Sequence, residues 1–236
     1  MSLKNVICIF LAYCTFVDGE NHAEKVSRCR PANPESPRTV YDFMVETLDG
    51  RNESMSKYKG SVLIIVNVAT FCMFTEQYKD FNPILQAHNV TAGSPSANLF
   101  MAAFPCNQFH LQEPGNNDEI LNGLRYVRPG NNFIPHPNLH IYGKLDVNGE
   151  NAHPMYKYLR ESCPPTTKVI APREYMFWDV VETDDVTWNF EKFIIDPSGY
   201  PVYRLHPRNW DHGSVLNGYI DPKTNNIIDV NVPLKP

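Results

Sequence analysis

The stretch Ser61–Phe81, SVLIIVNVATFCMFTEQYKDF, constrains the fold of this chain more than any other. Its first half, Val62 to Val68, is an apolar run of mostly β-branched residues interrupted only by Asn67. That pattern is typical of a strand buried on both faces of a sheet. Mixed polar and apolar residues follow, with Thr75 as the expected cap, and they predict the start of a helix. Cys72 therefore lies on the turn between a strand and a helix.

A cysteine on such a turn has two interpretations. The unpaired N–H groups and the positive dipole end of the following helix stabilise a thiolate, so the pKa of Cys72 is expected to be lowered and the thiol to be reactive. The alternative is that Cys72 is only a small buried hydrophobe after an apolar strand. This stretch alone leaves both interpretations open.

Length and charge restrict the class of protein. The chain has 236 residues, of which 42% are hydrophobic, and this length fits one large domain better than two. The formal net charge is −5, without a block of like charges. This balance argues against a nucleic-acid surface or a basic membrane patch.

The first residues predict a secretory signal. Lys4 precedes the apolar run from Val6 to Val17, and short residues follow at positions 18 and 19. The run has about 12 residues, whereas a membrane span needs roughly 20, so we expect a cleaved signal over 1–19 and no membrane span. An uncleaved anchor is the alternative. Two sequons, at Asn52 and Asn89, agree with secretion to the extracellular space and predict glycans on surface loops.

Four cysteines remain after the signal, namely Cys29, Cys72, Cys106 and Cys163. None of them forms a C-x-x-C pair, which argues against a dithiol oxidoreductase. Cys29 and Cys163 lie in Pro-rich segments and are the favoured disulfide pair. Four free thiols are the alternative.

The remaining patterns divide the chain into an extended lead-in over 20–38, one domain over 39–220 and a polar tail over 221–236. Within the domain we predict a first strand over 39–46, the buried strand and helix around Cys72, and a second buried strand over 99–104. A strand, a helical crossover and another buried strand form a parallel βαβ unit. Two helices, over 117–127 and 154–163, precede a hairpin formed by 189–195 and 200–205, and a short helix is expected over 212–218. The segments 88–98 and 131–147 are predicted loops.

Three separated segments resemble the glutathione peroxidase family. They are NVATFC ending at Cys72, FPCNQFHLQEP around Gln108, and WNFEKF starting at Trp188. Their order and spacing match the family, and the similarity extends over roughly 40–208. The signal and the cysteine resemble the secreted, cysteine-containing branch. The resemblance implies an α/β, thioredoxin-like fold, with a central mixed β-sheet flanked by helices.

The resemblance also implies a peroxide-reducing site formed by Cys72, Gln108, Trp188 and Asn189. A thiolate attacks the peroxide oxygen and becomes a sulfenic acid, and neutral N–H donors aimed at the sulfur stabilise the anion. Taken singly, Gln108 has an alternative role as a loop residue, Trp188 as a core aromatic and Asn189 as a turn former.

The resemblance also bears on which thiol reduces the enzyme, through a resolving cysteine that is missing and two arginines that are present. Thioredoxin-dependent members carry a resolving cysteine near the helix after the Gln-Glu-Pro segment, and 116–127 contains none. An external thiol such as glutathione is therefore favoured, with Arg128 and Arg208 at positions associated with glutathione binding. Pro207 stands where tetrameric members often have a second arginine, which weakens the case for glutathione. Cys106 is interpreted as structural.

Two further departures are Met73 and His110, where the family usually has glycine. We interpret His110 as a solvent-facing substitution, and a proton carrier is the alternative. Many relatives carry selenocysteine in place of Cys72, so a cysteine implies slower turnover.

A loop over 131–137 resembles the subunit contact of tetrameric members, so we expect a homotetramer, with a dimer next. No bound cofactor or metal is expected. The alternative functions are a catalytically weak secreted homologue that acts as a binding or surface protein, and a thioredoxin-dependent peroxidase.

Overall fold

A computed structural model describes residues 26–30, 37–89 and 98–229. These residues form a six-stranded sheet with the order β1-β8-β7-β4-β5-β6 and a separate two-stranded sheet, β2-β3. The strands are β1 Val26–Arg28, β2 Met44–Glu46, β3 Asn52–Ser54, β4 Val62–Val68, β5 Leu99–Pro105, β6 Leu139–Ile141, β7 Lys192–Ile195 and β8 Pro201–Leu205. The α-helices are α1 Tyr78–Asn89, α2 Asn117–Asn122 and α3 Pro154–Ser162.

The centre of the large sheet is the predicted βαβ unit. Strands β4 and β5 are parallel, with Val62 opposite Leu99 and Val68 opposite Pro105, and α1 belongs to the connection between them. On the other side, β4 pairs antiparallel with β7 of the C-terminal hairpin. Every residue of β4 is buried, and alternate residues join apolar clusters on opposite faces of the sheet. The buried strand and the hairpin were therefore predicted correctly, as was the mixed thioredoxin-like architecture.

Three short strands were missed, namely β1 and β6 at the edges of the large sheet and β3, which carries Asn52, a residue that was expected on a loop. Strand β1 lies within the predicted lead-in over 20–38 and pairs antiparallel with β8. The prediction that this segment does not pack against the domain is therefore wrong for Val26–Arg28. Strand β6 lies within the predicted loop over 131–147 and pairs parallel with β5. Each has three residues, which is too short for an alternating pattern to be recognised without its partner.

The predicted first strand over 39–46 is wrong in its first half. The Thr39 hydroxyl accepts a hydrogen bond from the Tyr41 N–H, and the Asp42 carboxylate accepts one from the Thr39 N–H. This reciprocal capping closes a 3₁₀ turn over Val40–Asp42. Only Met44–Glu46 of this range forms a strand, and it pairs with β3 rather than with the large sheet.

The helices are close to their predicted positions, with differences at their ends. Helix α1 passes through Pro83 and continues to Asn89, so the predicted loop begins later than expected. The rest of that loop, 90–97, lies outside the described residues, as do 1–25. Helix α2 continues as a π-helical segment, Gly123–Val127, over the predicted range. The described residues contain no helix long and apolar enough to cross a membrane.

The predicted tail packs against the domain as far as residue 229. Ile220 and Ile227 form an antiparallel bridge, and buried Asn225 donates a hydrogen bond to the His88 carbonyl at 2.9 Å. The Asn225 Oδ1 is also hydrogen-bonded to His88 Nδ1 at 2.6 Å. The boundary at residue 220 is therefore too early.

A disulfide joins Cys29 to Cys163, the pair that the sequence favoured. It connects the residue after β1 to the end of α3. The Cys29 N–H also donates to the Val202 carbonyl, and the Arg30 N–H donates to the Ser162 carbonyl, so the disulfide lies in an ordered edge. It closes a loop with a sequence separation of 134 residues.

Removing this disulfide is expected to lower the stability of the protein. Because a cross-link of a long loop restricts the unfolded chain, the Cys29→Ser/Cys163→Ser variant should lose about 2–4 kcal/mol of unfolding free energy. Urea unfolding followed by circular dichroism measures the difference. Cys106→Ser, which alters a cysteine outside the disulfide, is the matched control. An unfolding free energy equal to that of the unsubstituted protein would contradict the prediction.

Candidate active site

Cys72 lies on the turn after β4, as predicted, and caps the 3₁₀ segment Met73–Gln77 that precedes α1. Its sulfur accepts a hydrogen bond from the Phe74 N–H at 3.4 Å. Thr75 is not the cap, because its hydroxyl donates instead to the Ala69 carbonyl at 2.7 Å. The Cys72 side chain is 0% exposed. The strand and its turn therefore carry the sulfur below the surface.

Two predicted donors lie beside the sulfur. The Trp188 and Asn189 side chains both lower the pKa of the Cys72 thiol as hydrogen-bond donors. They belong to the turn before β7, and Asn67 of β4 holds that turn. The Asn67 amide donates to the Trp188 carbonyl at 3.0 Å, and the Asn67 carbonyl accepts from the Phe190 N–H at 2.6 Å. Pairing of β4 with β7 thus brings the distant segments together.

Gln108 has different partners from those expected. Its Nε2 donates to the Asn148 carbonyl at 2.9 Å, and its Oε1 accepts from the Val147 and Asn148 N–H groups at 2.9 and 3.0 Å. These backbone groups are buried and need partners, and one amide side chain satisfies three of them. Within the described residues, Gln108 is therefore bonded to the 146–149 loop and not to the sulfur.

The pKa of Cys72 departs from the expectation. Burial raises the pKa of this thiol to about 11. Hydrogen bonds from Phe74, Trp188 and Asn189 and the charge of Arg128 act in the opposite direction, but they do not offset the loss of water. The prediction of a lowered pKa is wrong for this closed site, because it considered the turn and omitted the desolvation.

The reactivity of Cys72 is expected to keep rising in alkaline solution. Since the thiolate is the nucleophile, the rate of alkylation by iodoacetamide should increase about tenfold per pH unit and still be rising at pH 9. An ordinary cysteine levels off near its pKa of 9.0, whereas burial moves the value for Cys72 to about 11. Mass spectrometry of the Cys72 peptide measures the rate, with Cys72→Ser as background. A plateau below pH 8 would contradict this prediction.

Several site residues were not predicted, although Asn67 and Lys192 carried a recognisable signal. Each is a fully buried polar residue inside an apolar strand, where burial without a partner is costly. Gln112 had no such signal; its Oε1 accepts from Asn189 Nδ2 at 2.9 Å.

Glu113 is buried beside Gln112, and its Oε2 accepts from the Thr70 N–H at 2.8 Å and the Thr70 hydroxyl at 3.0 Å. Glu113 thereby fixes the backbone two residues before Cys72, and burial raises its pKa to about 7.

The predicted arginines occupy different surroundings. Arg128 follows the segment Gly123–Val127, and its charge lowers the pKa of the Cys72 thiol. Its buried Nε has no hydrogen-bond partner among the described residues. Arg208 is half-buried and follows Pro207, whose carbonyl accepts from Gln77 Nε2 at 2.9 Å. Gln77 ends the 3₁₀ segment that begins after Cys72, so this bond links the 207–208 segment to the site.

Met73 and His110, which stand where the family has glycine, lie at the surface. Met73 is 52% exposed and Phe71 is 47% exposed, so apolar side chains flank the buried sulfur on both sides in sequence. His110 is exposed, as predicted, with its ring against Tyr175. Its φ of +54° is in the left-handed region, which costs a residue other than glycine roughly 1–2 kcal/mol.

One acidic cluster elsewhere has the composition of a metal site. The carboxylates of Glu182, Asp184 and Asp185 lie within 4.8 Å of one another. Arg160 Nη1 contacts all three, at 3.1 Å from Glu182 and 3.5 Å from Asp184. The guanidinium therefore already supplies the positive charge that a cation would bring.

A mixed thioredoxin-like sheet with a cysteine after its central strand, and with indole and amide donors at the sulfur, defines a cysteine-based redox protein. The model of the family described as glutathione peroxidase matches residues 40–160. The chain is 51% identical to a cuticular glutathione peroxidase of Brugia malayi over 197 residues, which is 84% of each chain. The chain belongs to the glutathione peroxidase family, and it is a peroxidase of that type.

Two further comparisons agree. A protein named glutathione peroxidase 3 from Caenorhabditis elegans is 50% identical over 184 residues, covering 78% of this chain and 80% of the relative. Among solved structures, the apo form of Trgpx superposes with a TM-score of 0.52 at 26% identity, covering 77% of this chain and 95% of the other.

Proposed function

We propose that this protein is a secreted thiol peroxidase that reduces hydrogen peroxide and organic hydroperoxides through Cys72. The observation that carries the proposal is the arrangement of Trp188 and Asn189, whose side chains act on the Cys72 thiol as hydrogen-bond donors and lower its pKa. Uncharged N–H donors stabilise a thiolate without pairing it with a fixed charge, so the anion remains nucleophilic.

The reaction follows from the sulfur and its donors. The Cys72 thiolate attacks one peroxide oxygen, a sulfur–oxygen bond forms and the O–O bond breaks, and the departing hydroxide or alkoxide takes up a proton. Cys72 becomes a sulfenic acid. One external thiol condenses with it and releases water, and a second thiol releases the Cys72 thiol and forms an external disulfide.

Each donor has a defined part in this proposal. Trp188 and Asn189 stabilise the anion, and Asn189 Oδ1, buried without a partner among the described residues, can accept the O–H of a bound hydroperoxide. Gln108 acts as a positioning residue, because its bonds hold the 146–149 loop. Since the sulfur is fully buried, the hydroperoxide reaches it only after a covering side chain moves.

The proposed reductant is glutathione or another small external thiol. Glutathione is anionic, and Arg128 and Arg208 are the cationic residues that we assign to it. The charge of Arg128 acts on Cys72 and its Nε lacks a described partner, which supports this assignment. A thioredoxin-dependent cycle has less support: Cys106 is the only other free cysteine in the described residues, it is buried, and burial raises its pKa to about 12.

We further propose an extracellular location, glycans at Asn52 and Asn89, and a homotetramer. The disulfide and the cuticular names of relatives support secretion. Asn52 is exposed on β3, whereas Thr91 of the second sequon lies outside the described residues. Ile134, 63% exposed in the 131–137 loop, is an apolar residue suited to a subunit contact.

A second candidate function is a catalytically weak homologue that serves as a surface protein. The specific observation in its favour is the 0% exposure of Cys72 together with its raised pKa. A thiol that is covered and protonated reacts slowly, whatever donors surround it.

Peroxide consumption distinguishes the two functions. Stoichiometric loss of hydrogen peroxide should accompany a sulfenic acid trapped on Cys72, and Cys72→Ser should abolish both. Cys106→Ser, which alters the other free buried cysteine, should retain them. Turnover with glutathione but not with a thioredoxin system would identify the reductant. Consumption no faster than that of Cys72→Ser would refute the enzyme and favour the surface protein.

A further inference from the structure

Lys192, the first residue of β7, is a fully buried lysine close to the sulfur site. Its Nζ donates to Gln77 Oε1 at 2.5 Å and to the Phe190 carbonyl at 2.8 Å. The ammonium also lies over the Trp210 ring, 4.3 Å from its centroid. A lysine is almost never fully buried without a specific partner, so its charge needs an explanation.

The contacts of Lys192 join the two segments that build the site. Gln77 ends the 3₁₀ segment that starts directly after Cys72. Phe190 follows Trp188 and Asn189, and its φ of +67° is in the left-handed region that a bulky residue rarely adopts. A hydrogen bond to the Phe190 carbonyl therefore helps to hold a strained turn, and that turn presents both donors to the sulfur.

Three negatively charged groups act on the Lys192 ammonium, and Cys72 is the one among them that we assign to it as an electrostatic partner. Burial lowers the pKa of Lys192 to about 7, and the negative charges of Glu191, Asp80 and Cys72 act against that shift. Glu191 already pairs with buried Arg204, and Asp80 accepts hydrogen bonds from Trp210 Nε1 and His212 Nδ1. Of these three anions, the Cys72 thiolate has only uncharged hydrogen-bond donors and the charge of Arg128.

We propose that Lys192 is a positioning residue of the peroxidase site: its buried ammonium stabilises the Cys72 thiolate through space and holds the turn that carries Trp188 and Asn189. The inference rests on the proposed function of Cys72. It adds a second cation to a site otherwise built from uncharged donors and Arg128. Two opposite charges in a water-poor interior interact strongly, so each makes the charged form of the other more favourable.

The test is the pH profile of Cys72 alkylation in the full chain, since alkylation requires the thiolate but no peroxidase turnover. Lys192→Met keeps an unbranched side chain of similar size and removes the charge. We expect its alkylation rate with iodoacetamide at pH 7 to be about tenfold lower than that of the unsubstituted protein. The difference should shrink to about twofold or less by pH 10, because Lys192, whose pKa is lowered to about 7, has lost its proton there. A merely structural role would not produce this convergence.

Lys144→Met is the matched control, because Lys144 Nζ also donates to a backbone carbonyl, that of Gly115 at 2.7 Å. Its alkylation profile should overlap that of the unsubstituted protein. If Lys192→Met fails to fold, Gln77→Glu replaces it. A carboxylate beside Nζ offsets the positive charge of the ammonium, so the rate of Cys72 alkylation at pH 7 should again fall. Overlapping profiles for the folded variant would overturn the inference. A shifted profile in a protein that does not consume peroxide would refute the proposed function and leave the role of Lys192 standing.

Discussion

Replacing Trp188 by Phe is expected to lower the rate constant of Cys72 with hydrogen peroxide by about 100-fold, the usual cost of removing one preorganised donor at a developing charge. Phe retains an aromatic ring but is smaller than Trp and lacks the indole N–H, which lowers the pKa of the Cys72 thiol. Because that donor stabilises the thiolate, the thiol pKa should rise further. The rate constant is measured from single-turnover loss of hydrogen peroxide.

Trp178→Phe is the matched control for this experiment. The Trp178 indole N–H donates to Asp185 Oδ2 at 2.9 Å, so the substitution removes the same kind of hydrogen bond at another buried place. Its peroxide rate should stay within about threefold of the unsubstituted protein, a barrier change of less than 1 kcal/mol. Equal losses in the two variants would show that Trp188 acts through packing and not through its N–H.

The Arg204→Met variant is expected to lose about 3–5 kcal/mol of unfolding free energy, because it leaves a buried carboxylate without its cation. Arg204 of β8 and Glu191, the residue before β7, are both fully buried and form an ion pair. Arg204 also donates to the Asp184 and Asp185 carbonyls at 2.9 and 2.8 Å. Urea unfolding measures the loss.

The double variant Glu191→Leu/Arg204→Met should recover part of this loss, since it removes both charges together. Arg51→Met is the control at an exposed ion pair: Arg51 lies 2.8 Å from Asp49, and the change should leave the unfolding free energy almost unchanged. If Arg204→Met cost no more than Arg51→Met, the buried pair would not contribute to stability as described.

Local sequence patterns were sufficient for the long central elements. Strands β4 and β5 each consist of seven largely buried residues, so their apolar runs are visible without knowledge of their neighbours. The hairpin of β7 and β8 has turn residues at Asp196–Gly199. In contrast, β1 and β6 exist because they pair with β8 and β5, and three residues do not carry a period of their own.

The site was predictable in its residue types and less so in its geometry. The structure brings Trp188 and Asn189 to Cys72, as expected. The Gln108 side chain instead forms its hydrogen bonds with the buried backbone of the 146–149 loop. A residue pattern states which groups can donate a hydrogen bond. It does not state which of several nearby acceptors will receive it, because that choice depends on which buried groups would otherwise remain unpaired.

The sequence by itself determined that a cysteine follows a buried strand, which residue types could serve it, and the family that these segments resemble. Only the tertiary structure decided that the sulfur is fully covered, that the pKa of its thiol is raised to about 11, and that Lys192 is buried between Gln77 and Phe190. The physical reason is that strand periodicity is a local property of the chain. Desolvation and the electrostatic interaction between charges depend on atoms that distant segments bring together.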